Sequence, residues 1–426
     1  MKKLFALVLA LCLALTACAF TASAEEDITL TVAWWGSQGR NAKFQAALDL
    51  YSELTGVKIE VVNNGYSDHL TMMMTSSKSN DMPDVNMCQG TQYQRFVDAG
   101  LFLNLNPYVE SGALDLTNVS LSILSGTTID GNLYGICAGM NSPCIIYNKT
   151  LMDENDIEIN DYMSLEDFAE KALEIYEKTG YRAHIVNVPE WIELICRGNG
   201  VVLYGTDALG VESADELLPV LELLERGYNE KWLYDYALAV GLNDSENQPI
   251  VYYTEPATAS WCSFYYSNQA VPMQAAAAEG VELAVTTFAL DNQQASNYLR
   301  EAMSWTVSTQ SQNPDAAVAL VNWLINSTDA NNCIAADPGV PASSVVAAEM
   351  AATVEPMQAK VFNYITNVVT PCCAPSNPPA GAGSSQVISL IDDCAEKIEY
   401  GQMTAAEAAE LIFTKGNEIM AEAAAQ

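Results

Sequence analysis

The segment Trp34-Trp35-Gly36-Ser37-Gln38-Gly39-Arg40-Asn41 gathers side chains suited to holding a ligand. Two indoles offer apolar plates. An amide and the Arg40 guanidinium offer planar donors and acceptors. The run Ile28 to Ala33 before it is β-branched and apolar and reads as a strand. After it, Phe44, Ala47, Leu48, Tyr51 and Leu54 fall on one helical face, and Gly56 supplies a stop. The segment therefore lies between a strand's C-terminal end and a helix N-terminus, where open α/β sheets bind ligands. Two readings stand: both indoles fill a core layer between sheet and helix, or, since adjacent strand residues point to opposite faces, at least one faces a ligand. The sequence leaves open which of Trp34 and Trp35 that would be.

The chain has 426 residues, enough for two domains. Half of the residues are hydrophobic and 17% are charged, the profile of a folded protein. There are 53 acidic against 18 basic residues, net −35. That charge repels phosphate backbones and anionic headgroups, so nucleic acid and lipid surfaces are excluded as partners. Met1-Lys2-Lys3 followed by apolar Leu4 to Leu15 reads as an export signal, spanning about residues 1–24. Leu15-Thr16-Ala17-Cys18 resembles a lipobox that would lipidate Cys18. Ala22-Ser23-Ala24 fits ordinary cleavage equally well by pattern. Beyond Cys12 and Cys18, nine cysteines remain, odd in number and irregular in spacing. They read as buried free thiols and not as a disulfide framework. With two histidines and no CxxC, no metal site or cofactor is expected.

Val57 to Val62 reads as a second strand, Asp68 to Ser77 as a helix whose methionines pack in the core, and Val85 to Met87 as a third strand. Capping boxes start helices at Ser164 and Ser213, with stops at Gly180 and Gly227. Asn313-Pro314 opens another helix, Thr404 to Glu407 caps the last, and Pro371 to Ser385 is loop.

These pieces resemble the extracellular solute-binding proteins of bacterial ABC importers, family 1, the carbohydrate-binding group. The resemblance rests on Trp34-Trp35-Gly36-Ser37 with Arg40, Thr55 to Glu60, Pro83-Asp84-Val85, Ala99 to Leu105 and Asp130 to Ile136. It continues through Tyr147-Asn148-Lys149, Ala316-Ala317-Val318 with Trp323, and Gly339-Val340-Pro341. Cys137 departs from the usual proline. The resemblance implies an α/β fold of two lobes, type II, with parallel-rich sheets and a cleft between the lobes. Lobe one is expected at about 27–137 plus 285–340, and lobe two at 138–284 plus 341–426. Hinge closure on a sugar would present the loaded form to permease subunits. A monomer on the outer face of the cytoplasmic membrane follows if Cys18 is lipidated, and a soluble exported protein if it is not.

Sugars expose hydroxyls at the rim and flat C–H faces, so the binding candidates are aromatic, amide and charged groups at expected strand ends. They are Trp34, Trp35, Gln38 and Arg40 after the first strand, then Tyr66 and Asp68 after the second. Gln89, Gly90 and Tyr93 follow the third, and Asn141 lies past the crossover. Trp191, Trp261 and Trp305 complete the set. Two other classes compete. A glycosidase needs two carboxylates across a cleft, and no motif singles out a pair. A sensing or adhesion protein of the same fold would differ only in its partner.

Overall fold

The computed structural model describes residues 28–425 apart from 240, 241, 243 and 379. The export signal and Cys18 therefore lie outside the described residues. Two sheets organise the chain. The first takes β1 (Thr29–Trp35), β2 (Lys58–Asn64), β3 (Val85–Cys88), β4 (Ile136–Cys137) and β11 (Ser304–Val307), in the order β2-β1-β3-β11-β4. The second takes β6 (Pro143–Asn148), β7 (Arg182–Ala183), β8 (Ser260–Tyr266) and β9 (Leu283–Thr286), in the order β9-β6-β8-β7. Between them, β5 (Met140–Asn141) pairs antiparallel with β10 (Arg300–Glu301).

The first three strands are parallel, joined by helices α1 (Gln38–Thr55) and α2 (Tyr66–Lys78), as strand–helix alternation predicts. A third helix, α3 (Gly90–Asp98), follows β3. The parallel character stops there. β11 returns from the other lobe and runs antiparallel to both β3 and β4. In the second sheet only β7–β8 is parallel. A strand that arrives from another lobe has no βαβ crossover to fix its direction.

The expected caps form. Ser164 and Asp167 close a reciprocal box ahead of α4 (Leu165–Thr179), and Gly180 ends it at φ 78°. Gly56 ends α1 in the same way. In the second sheet's layer follow α5 (Val188–Gly198) and α6 (Leu218–Asn229). The Ser213–Glu216 box is present, but its turn is a 3-10 turn that leads into α6. Gly227 does not stop α6. The helix runs on to Asn229, and a Cβ at Gly227 would meet Leu233 Cγ at 2.5 Å, so this glycine permits close packing. Pro314 opens α7 (Pro314–Asn326). The expected loop after Pro371 ends where α8 (Ser384–Glu399) begins, and α9 (Ala405–Ala424) is last.

Chain crossings join the lobes side by side. Met140 exchanges backbone hydrogen bonds with Val340, at 2.7 and 3.0 Å. Ala138 N–H donates to Met303, and Ala302 N–H to Gly139. Farther along, the helix Ser344–Ala351 packs on the lobe-one helix Thr328–Ile334, while the helix Pro356–Asn363 packs on β9. The segment after residue 341 is therefore shared between the lobes before α8 and α9 join the second, and residues 285–298, expected in lobe one, pack with lobe two, whose core takes Phe288 and Leu290.

The cores are aromatic. Phe168 on α4 is fully buried and meets Trp191, Trp261 and Phe264 at ring separations of 5.5, 5.9 and 5.7 Å. Phe168→Ala should cost about 3–5 kcal/mol, because three large rings cannot collapse into the gap. Urea denaturation of the variant checks this, and a loss below about 1 kcal/mol would contradict the packing described.

Candidate functional site at the lobe junction

Strand direction locates the site. β11 begins beside the end of β3, since Ser304 pairs with Cys88, and the residues just before β11 form a crossing. The C-terminal ends of β1, β2 and β3 therefore face the crossings. In the second sheet Tyr266, at the end of β8, pairs with Pro143, which follows the crossing at β5. β7 is parallel to β8, so its end and the N-terminus of α5 face the same way. The two sheets thus direct these ends at one junction.

On the lobe-one side, alternation separates the indoles. Trp34 is fully buried, lies edge-on to Phe44 at 5.6 Å, and donates from Nε1 to Asn41 Oδ1 at 2.9 Å. Trp35 points to the other face and retains 9% exposure. It rests against Tyr66 and His69 of α2, each at 5.3 Å. These two α2 residues are three apart and so share a helix face. Gln89 Nε2 donates to Tyr66 Oη at 2.7 Å, which ties the ends of β1, β2 and β3 together. His69 Nε2 bonds the Met87 carbonyl at 2.8 Å, and burial holds its pKa below the ordinary histidine value. Gln38 and Asp68 are exposed in the first turns of α1 and α2.

Other expected contacts are corrected by the structure. Arg40 is bound to the hinge: its Nε meets Asp337 Oδ1 at 2.5 Å, and Nη1 donates to the Trp35 carbonyl at 3.3 Å. Gly36 makes room for this fold-back, since a Cβ there would meet Arg40 Cδ at 2.5 Å. Tyr93 is buried against Phe102 and offers no face. Asn141 is buried, with Nδ2 turned onto the Pro338 carbonyl at 3.1 Å. Trp191 and Trp261 fill the second lobe's core, and Trp305 fills the first beside Phe44. None of these three indoles presents a plate. An isolated tryptophan in a polar stretch marks a core anchor as readily as a ligand contact, and only packing separates the two. Asp84 is structural: its Oδ2 accepts from Thr31 N–H at 2.8 Å.

The second wall escaped the sequence reading. Glu190, Glu193 and Arg197 lie on α5 at spacings that share one face. Glu190 Oε1 accepts from Tyr298 Oη at 2.8 Å and from Tyr266 Oη at 3.0 Å, and the two phenols are 2.7 Å apart. The Arg300 guanidinium sits over the Tyr266 ring at 4.6 Å, and that of Arg197 over Tyr298 at 5.0 Å. Arg197 also donates to the carbonyls of Ser296 and Pro375 and to Asn377, whose amide reaches Glu193 Oε1 at 3.1 Å. Burial, and then Glu190, push the Glu193 carboxyl above its ordinary pKa. The helix spacing on α5 and the polar run ahead of β11 were the available signals.

Glu301, on the crossing strand, is the most perturbed carboxyl here. Its Oε2 accepts from Ser304 Oγ at 2.6 Å, and Oε1 has no partner among the described residues. Gly90 and Gly126 leave the space it fills, as a Cβ at Gly90 would lie 3.1 Å from Oε1. Burial raises its pKa to about 7 against a partial opposing effect of Ser304. A concavity of about 910 Å³ lies elsewhere, along Val109, Leu114, Leu121, Leu124 and Leu133, and none of the strand-end residues line it.

This two-lobed arrangement is that of the solute-binding fold. An extracellular solute-binding protein family 1 member from Alicyclobacillus acidocaldarius superposes with TM-score 0.84 at 19% identity, covering 92% of this chain and 98% of that one. An oligogalacturonide-binding protein of Yersinia enterocolitica matches at TM-score 0.71 and 18% identity, covering 93% and 100%. An ABC substrate-binding protein of Listeria monocytogenes, in complex with cycloalternan, gives 0.63 and 16%, covering 93% and 99%. The bacterial extracellular solute-binding protein family model matches residues 42–360, and the chain belongs to that family. Membership implies an exported protein that binds a solute. No described helix is long and apolar enough to cross a membrane.

A raised carboxyl pKa favours the folded state in acid. Glu301 contributes stability that is full below about pH 4.5 and is lost as pH rises through about 7. Glu301→Gln should flatten this slope and stabilise the protein at alkaline pH by on the order of 2–3 kcal/mol. Denaturation series across that range, on both proteins, would show unchanged slopes if the carboxyl were solvated.

Proposed function

We propose that the chain captures a sugar or short oligosaccharide between its lobes and delivers it to the membrane subunits of an ABC importer. The observation that carries this reading is the pair of walls at the junction. Lobe one brings the Trp35–Tyr66–Gln89 group, and lobe two brings Tyr266 and Tyr298 fixed by Glu190, with Arg300 beside them. Aromatic rings suit the C–H faces of a sugar, while amide, phenol and guanidinium groups suit its hydroxyls. Trp35, Gln38, Tyr66, Asp68, Gln89 and the Gly90 backbone are the lobe-one contacts in this reading. The ligands named for two fold relatives are oligosaccharides, which favours the same class here.

Capture by closure needs lobes that move as bodies about few connections, and the crossings meet that need. Turnover is not part of the reading. Of the two junction carboxyls with a raised pKa, Glu301 is enclosed by Ser304, Gly90 and Gly126, and Glu193 is held by the Asn377 amide. Lipid anchoring through Cys18, suggested by Leu15-Thr16-Ala17-Cys18, and a monomeric state are part of the proposal.

Thermal-shift screening against neutral oligosaccharides and oligouronides tests the class, because a bound ligand raises the melting temperature by mass action. Shifts only with amino acids, polyamines or metal ions would overturn it. With a ligand in hand, Trp35→Ala should weaken binding at least tenfold, about 1.4 kcal/mol, with the fold retained. Trp34→Ala should instead lose about 3–5 kcal/mol of stability. Calorimetric titration and chemical denaturation of both variants separate these outcomes, and equal affinities would remove Trp35 from the site.

A further inference from the structure

Among the nine described cysteines, six are buried and Cys333 is apart from the rest in sequence. Cys372 and Cys373 differ in being adjacent and only half-buried. They sit in a strap, residues 370–377, that lies along the lobe junction. Cys373 Sγ is 3.6 Å from Ser122 Oγ, at the lobe-one helix Leu121–Leu124. Ala374 N–H donates to the Asn297 carbonyl at 2.9 Å, and Ser376 Oγ to that of Leu299 at 3.1 Å. Arg197 holds the Pro375 carbonyl and Asn377. The strap thus touches lobe one through Cys373 and the Glu190 wall through its other end.

We propose that Cys372-Cys373 is a reversible redox modification site, which closes to a disulfide by exchange with a low-molecular-weight disulfide. The Cys372 thiolate attacks one sulfur of the reagent, forms a mixed disulfide and releases one thiol. Cys373 then displaces the second thiol. Two protein thiols become one S–S bond, and the reagent is reduced to two thiols. Adjacent Cα atoms are about 3.8 Å apart, shorter than the roughly 4.4–6.8 Å of ordinary disulfides. The ring is therefore strained and easily reduced, which suits a switch and not a staple. Exported proteins meet such oxidants. Closing the ring turns Cys373 Sγ away from Ser122 and frees the strap from lobe one.

The test treats the folded protein with oxidised glutathione, alkylates remaining thiols and maps peptide masses. The expected product is a peptide 372–373 short of two hydrogens, restored by dithiothreitol, with no glutathione attached. Cys373→Ser should stop the reaction at a glutathione adduct on Cys372. A wild-type adduct that never resolves, or reaction at Cys333 with the pair untouched, overturns the proposal. Coupling is read on the same wild-type protein by amide exchange. Oxidation should speed exchange in residues 120–124 by roughly threefold or more, as local contacts are lost. Unchanged exchange with the ring formed would refute the link to lobe one.

Discussion

Everything in this molecule depends on the backbone pairing where the chain passes between lobes. Met140 and Val340 exchange two hydrogen bonds, and Ala302 and Ala138 bond neighbouring crossings. Buried backbone groups must find partners, so these crossings satisfy one another where no wide sheet is available. Gly339 allows the approach: its φ is 132°, and a Cβ there would meet the Met140 carbonyl at 2.6 Å. A side chain at that position would push two crossings apart and unseat Asn141. The large rings gather separately, around Phe168 in the second lobe and around Trp34, Phe44 and Trp305 in the first, while one aliphatic core continues from the first sheet to Ile146, Met273 and Leu283 of the second.

The site follows from that constraint. Strands that end at the crossings deliver their terminal residues to the junction from both lobes. Within β1, the period-two alternation sends Trp34 into the core and Trp35 toward α2. The two sides differ in chemistry. Lobe one offers aromatic and amide groups at strand ends. Lobe two offers an ionic network on α5, in which the Glu190 carboxylate is held by two phenols and two guanidinium groups lie on those phenols' rings. Charge is neutralised locally, which lets ionisable groups stand at a partly dry surface of a strongly acidic protein.

Much of the architecture was legible because its signals are local. The first strand–helix unit, the boxes at Ser164 and Thr404, the glycine stops at Gly56 and Gly180 and the Pro314 start depend on a few neighbouring residues. The misreadings share one cause. Gly227 has the chemistry of a stop but lies under Leu233 and Trp232. Arg40 has the chemistry of a ligand contact, yet it faces Asp337 nearly three hundred residues away. Trp191, Trp261 and Trp305 have the chemistry of sugar plates but fill cores.

The sequence by itself determined the class of fold, the first strand–helix unit and the family, because periodicity, capping and ordered motifs are properties of short stretches. Tertiary structure decided which indole of the pair packs on Phe44 and which on Tyr66 and His69, which arginine serves the hinge, and that Glu190, Tyr266, Tyr298 and Arg300 form one cluster. Those residues come from α5, β8 and the crossing before β11, and no local spacing joins them. Burial and partnership are set by the rest of the chain, so the same side-chain type reads alike in sequence whether it ends as core, hinge or site.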